Sequence, residues 1–155
     1  MYFLTVALLM FVLPIGSILV EILVIKSPLG IFALVGKWFV FWSVGLRLFL
    51  AGLRQTLQPR FTAETILGIK GTESLQVVQE LGFANISTGT LGIISMFSSS
   101  WVMPAAVAGC LFYGSAGIRH LVRRDRNKLE NIAVVSDLFV CAVLLAFVIA
   151  EIMPR

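Results

Sequence analysis

The chain has 155 residues, 59% of them hydrophobic and only 13% charged, with a formal net charge of +4. Soluble globular domains run at about 45–50% apolar and about 25% charged, and the mean hydropathy here is +0.99. A water-soluble enzyme and a disordered regulator are therefore excluded, and the expected class is all-α: a small integral membrane helix bundle forming one domain over residues 1–155. The positive charge is no nucleic-acid signal, because the basic residues flank apolar runs instead of forming a patch interleaved with exposed aromatics.

A helix crosses the hydrocarbon core with about 20 mainly apolar residues. The first such run, Tyr2–Ile25, carries Glu21 and lacks both a basic leader and a small-residue cleavage site before Lys26. It reads as a retained span rather than a signal peptide, kinked near Pro14 and Gly16–Ser17. Gly30–Leu53 is the second run, followed by the one long connection, Arg54–Glu80. Within that connection, Pro59 and Thr62 introduce a short helix around residues 62–70, with Thr62 as N-cap and Gly68 and Gly71 closing it. Phe61, Ile66, Leu67 and Ile69 would let it lie on the cytoplasmic membrane surface, and a plain connector is the alternative.

Thr72 and Glu73 mark another helix start that runs into the third span, Leu81–Phe97. This segment is rich in Gly, Ser and Thr, which suits helix contacts in a membrane. The alternative is four spans with this segment re-entrant. Val102–Val122 and Ile132–Met153 complete the five transmembrane helices.

Orientation follows from the positive-inside rule. The connection after span two carries Arg54, Arg60 and Lys70, and the loop after span four carries Arg119, Arg123, Arg124, Arg126 and Lys128. Against these eight, the other side has only Lys26 and Arg155. The N-terminus is expected in the cytoplasm and the C-terminus outside.

Ionisable groups at bilayer depth are costly and face the bundle interior. Counting along the spans puts Glu21, Lys37 and Glu151 toward the outer side, with Glu21–Lys37 the favoured pair, and Arg47 and Asp137 at one depth near the inner side. Helical phase adds Tyr113 and His120 to the inner pair from one face of span four. Two explanations stay open. Glu21, Lys37, Arg47 and Asp137 fix register as intramembrane ion pairs, or Arg47, Tyr113, His120 and Asp137 line a ligand pocket. Gly89, Gly92 and Gly109 give spans three and four small faces for helix packing.

Catalytic chemistry does not stand out. Phosphate-binding, dinucleotide, zinc-protease and serine-hydrolase motifs are absent. His120 is the only histidine, so one chain supplies neither bis-histidine haem ligation nor a multi-histidine metal site. Its bland reading is an interfacial residue opening a basic loop. Cys110 and Cys141 read as buried structural thiols several ångströms apart in depth, bridgeable only if their helices are offset.

The run Gly36–Lys70, with ELGFANISTGTLGIIS at Glu80–Ser95, LFYGSAGIRH at Leu111–His120 and ENIAVVSDLF at Glu130–Phe139, resembles a family of small uncharacterised bacterial membrane proteins. That family looks distantly like DoxX-type bundles, some of which are associated with thiosulfate, thiol or quinone redox systems. The resemblance implies a multi-pass protein of the bacterial inner membrane and transfers no catalytic residue. Two functions follow as expectations. The first is a non-enzymatic membrane subunit, surrounded by lipid and packed through its small-residue faces onto other membrane subunits, such as a bioenergetic complex, or onto itself. The second is a DoxX-like redox-accessory protein without a resident cofactor that holds a quinone or lipid in a polar intramembrane pocket.

Overall fold

Backbone groups that face lipid must be bonded within their own segment, which leaves helices as the form open to these apolar runs. In the computed structural model, which describes residues 2–153, every regular element is helical. In chain order these are α1 (Phe3–Ile25), α2 (Ile31–Leu57), the short α3 (Phe61–Ile66), α4 (Thr72–Ile94), α5 (Val102–Val122) and α6 (Lys128–Ile152). Four of them, α1, α2, α5 and α6, are long and apolar enough to cross a membrane, which makes this a multi-pass membrane protein with an all-α bundle. Arg155, counted above on the outer side, lies outside the described residues.

Helix α4 is an unbroken run of 23 residues that begins at Thr72 and is less apolar than those four. Its buried residues, Val78, Gly82, Asn85, Gly89 and Gly92, recur every three or four positions and form one stripe. That stripe lies on α2, and glycines on both sides let the backbones meet. A methyl group added at Gly52 would fall 2.5 Å from the Gly82 carbonyl oxygen, and one at Gly89 would fall 2.5 Å from the Phe49 nitrogen. Gly92 sits directly on Gly45. Side-chain amides pin the same seam: Asn85 Nδ2 donates to Gln55 Oε1 at 2.7 Å, and Gln79 Nε2 donates to the Thr56 carbonyl at 3.2 Å.

Smaller seams close the rest of the bundle. Gly109 lies against Val44 and Leu144, Gly117 against Leu138, and Gly36 against the Phe147 ring. The core between them is Met10, Leu34, Val40, Val44, Leu48, Ala105, Ala106, Val140 and Leu144. Helix α1 is the most peripheral long helix, with Leu19, Leu23 and Val24 among its exposed residues. Among its polar contacts to α2, Ser43 Oγ donates to the Leu9 carbonyl (3.2 Å) and Trp42 Nε1 donates to Ser17 Oγ (3.0 Å). Phe11 stacks on Phe139 of α6 at 4.7 Å. The expected irregularity near Pro14 takes the form of a widened helical turn at Leu8–Val12. Proline has no N–H to donate, so the preceding turn bonds one residue further along. A similar stretch, Val40–Leu46, occupies α2 where Gly45 meets Gly92.

Three local expectations need correction. The short interfacial helix starts earlier than residue 62: Thr62 is buried inside α3 and caps nothing, and the turn ends at Leu67 before Gly68 takes φ +67°. Helix α6 begins at Lys128, four residues before the apolar run, because Asn127 and Glu130 form a capping box. That early start also changes the cysteines. Cys110 lies twelve residues before the end of α5 and Cys141 thirteen after the start of α6, so the free thiols come level, with Sγ atoms 3.8 Å apart.

Gly89→Leu should destabilise the isolated chain by about 1–3 kcal/mol or prevent its folding, as overpacking of a tight contact does. Gly16→Ala, with nothing within 4 Å of the added methyl, should leave the thermal melt in detergent unchanged.

Candidate functional site

At the end of the bundle nearest the α5–α6 loop, the helices separate around a chamber of about 490 Å³. Helical spacing explains which residues reach it. On α2, Arg47, Ala51 and Arg54 lie four and three positions apart and share a face; on α5 Tyr113, Ala116 and His120 do the same, as do Ala133 and Asp137 on α6. Helix α4 contributes Leu81 and Asn85, and α3 with Leu67 forms one wall through Phe61, Thr62 and Ile66.

All four residues singled out from sequence as a tentative ligand site, Arg47, Tyr113, His120 and Asp137, line this one chamber. Tyr113 is 2% exposed, and its hydroxyl donates to the Ser43 carbonyl, where a wide turn of α2 presents it. Asp137 is buried, and the Arg47 charge acts on it electrostatically. The Arg54 guanidinium lies over the Phe61 ring, 3.6 Å from its centroid. Arg54, Gln55, Asn85 and Arg119 join the polar lining; the sequence reading placed Arg54 and Arg119 in the basic connections and assigned none of the four to a pocket.

The outer charges form a different arrangement. Lys37 Nζ is bonded to Glu21 Oε1, and Glu21 is buried between α1 and α2. Glu151 lines a second, outer recess of about 390 Å³ together with Lys37. The Lys37 ammonium also lies 4.8 Å from the Trp38 ring centroid. Gly89, Gly92 and Gly109, which were expected to serve packing, do so within this chain: each is buried against α2, and Gly109 touches α6 as well.

One anchor escaped the sequence reading. Glu130, 1% exposed at the first turn of α6, accepts a hydrogen bond from Arg123 Nη1 at 2.8 Å and lies 3.6 Å from His120 Nδ1. The same Arg123 nitrogen donates to the Leu67 carbonyl at 2.7 Å, and Asn127 Nδ2 reaches the Thr65 and Ile66 carbonyls. The α5–α6 loop thereby clamps α3 against the chamber. The spacing Asn127-x-x-Glu130 was the available signal, a capping-box pattern ahead of an apolar run.

Glu130→Ala should cost about 3 kcal/mol, because it leaves Arg123 without its buried carboxylate. The segment from Phe61 to Leu67 should then become the first site cut in limited proteolysis, with the α2–α4 seam still protected in hydrogen exchange.

Among the described residues no group of three or more histidine, cysteine or acidic side chains is placed to hold a metal ion. No curated protein and no solved structure matches the chain. A protein-family model does match, over residues 4–153, nearly the whole of the six-helix unit just described. The chain is accordingly a member of DUF6790, a family of unknown function.

Proposed function

We propose that this protein is a membrane-embedded binding protein whose inner chamber holds the head of an amphiphile, a lipid or a quinone. The observation that carries this reading is the convergence of Arg47, Tyr113, His120 and Asp137 on one cavity of about 490 Å³. A purely structural ion pair needs no cavity beside it, and the outer Glu21–Lys37 pair illustrates that case with a direct contact. Cavities between the helices of a bundle are common ligand sites. Leu48, Leu50, Leu81 and Phe112 supply apolar wall, so the lining suits a polar head with an apolar body. The quinone alternative draws on the DoxX-like resemblance; the lipid alternative needs only the location.

The accessory-subunit reading rested on the absence of catalytic chemistry together with the small-residue faces of spans three and four. Gly89, Gly92 and Gly109 are occupied by this chain's own helices, so those three residues do not point to a partner. Ligand binding is tested by purifying the full chain in mild detergent and identifying small molecules by native mass spectrometry. Arg47→Ala, and Ala116→Trp to fill the cavity, should each lower occupancy about tenfold with the chain still folded, and Arg47→Ala should also lower the melt because buried Asp137 loses that charge. Undiminished occupancy in both variants would remove the chamber from consideration.

The same proposal includes five spans in the bacterial inner membrane, with α4 as the third and the N-terminus cytoplasmic. Twenty-three residues make a helix of about 35 Å, enough for the hydrocarbon core. Its hydroxyls are already satisfied: Ser87, Thr88 and Thr90 donate to the carbonyls four residues back, which lowers their cost in lipid. Its glycine stripe also runs along α2, itself long and apolar enough to span. This count keeps both basic loops on one face. A C-terminal alkaline phosphatase fusion should be active and a C-terminal green fluorescent protein fusion dark; the opposite pattern would favour four spans.

A further inference from the structure

We infer that the chamber selects an amphiphile whose phosphate head carries net negative charge, with Arg54 and Arg119 as ligand-binding residues beside Arg47. This rests on the amphiphile reading and narrows it away from a neutral quinone. The lining carries three arginines against a single carboxylate, Asp137, with His120 beside them and 3.6 Å from Glu130. Asp137 is buried and interacts with Arg47, so it is already engaged with one of the three. Among the described residues, neither Arg54 nor Arg119 has an acidic partner within 4 Å. Two exposed guanidinium groups at the mouth of an apolar-walled cavity are placed to receive an anionic head. A quinone carries no charge and leaves that excess standing; a phosphate removes it.

Geometry points the same way. The face of Arg54 is taken by the Phe61 ring, which fixes the guanidinium plane and leaves its N–H edge for an acceptor. Planar, forked donors suit phosphate oxygens better than they suit a single carbonyl. The apolar side of the lining argues for a chain on that phosphate. Leu50 and Leu81 line the chamber and are both exposed, which gives the cavity an apolar rim suited to an acyl chain.

The test uses the purified full chain in a neutral detergent, with binding read by native mass spectrometry and by calorimetric titration. Four probes are compared: dioctanoyl phosphatidic acid, dioctanoyl phosphatidylcholine, decylubiquinone and inorganic phosphate. Phosphatidic acid should bind at least about tenfold more tightly than phosphatidylcholine or decylubiquinone, and Arg54→Gln and Arg119→Gln should each weaken it about tenfold without moving the melt. Both arginines are exposed at the rim, so these variants are expected to fold. Preference for decylubiquinone, or equal binding of phosphatidic acid and the zwitterionic phosphatidylcholine, would overturn the net-anionic phosphate head and leave the amphiphile reading in place. Inorganic phosphate displacing phosphatidic acid at equal concentration would overturn the need for an acyl chain. Binding of none of the four would sink both readings.

Discussion

Everything at the inner end of this bundle depends on how closely α2 and α4 approach. Five glycines, Gly45 and Gly52 on one helix and Gly82, Gly89 and Gly92 on the other, remove the side chains that would hold the axes apart. In lipid there is no hydrophobic gain from bringing two helices together, so van der Waals contact and interhelical hydrogen bonds must supply the attraction. Direct backbone contact maximises the first, and the Asn85–Gln55 and Gln79–Thr56 bonds add the second. The seam fixes the rotation of α2, and that rotation aims Arg47 and Arg54 inward on the side facing α5 and α6.

The two sets of intramembrane charge then behave differently because their surroundings differ. Near the outer end, α1 and α2 are close neighbours in sequence and space, so Glu21 and Lys37 meet directly and satisfy one another. At the inner end, the helices around Arg47 and Asp137 diverge, and the space between them is roofed by α3 instead of filled by side chains. A strut and a chamber arise from similar residues because one pair is closed by packing and the other is not.

The Glu130–Arg123 clamp ties the chamber to the loops. Glu130 is buried where α6 begins, and Arg123 bridges it to the Leu67 carbonyl, so the wall contributed by α3 is held by the same residues that start α6. His120 stands at the junction, lining the chamber and lying beside Glu130.

The sequence by itself determined the class, the long helices and the inner residue set. Hydropathy is additive along a segment, and helical phase is a local property, so depth counting was enough to group Arg47, Tyr113, His120 and Asp137. Contacts between segments were not legible in the same way. Which helix receives the α4 stripe, that Cys110 and Cys141 stand level, and that Gly89 and Gly109 face inward instead of toward a partner all depend on pairwise rotation and offset. Glu130 shows the boundary between the two kinds of information. Its capping role was written in four consecutive residues, whereas its bridge through Arg123 to Leu67 joins segments 63 positions apart in the chain. Only the packed bundle could decide that, because the energy that selects it comes from neighbours the local pattern does not name.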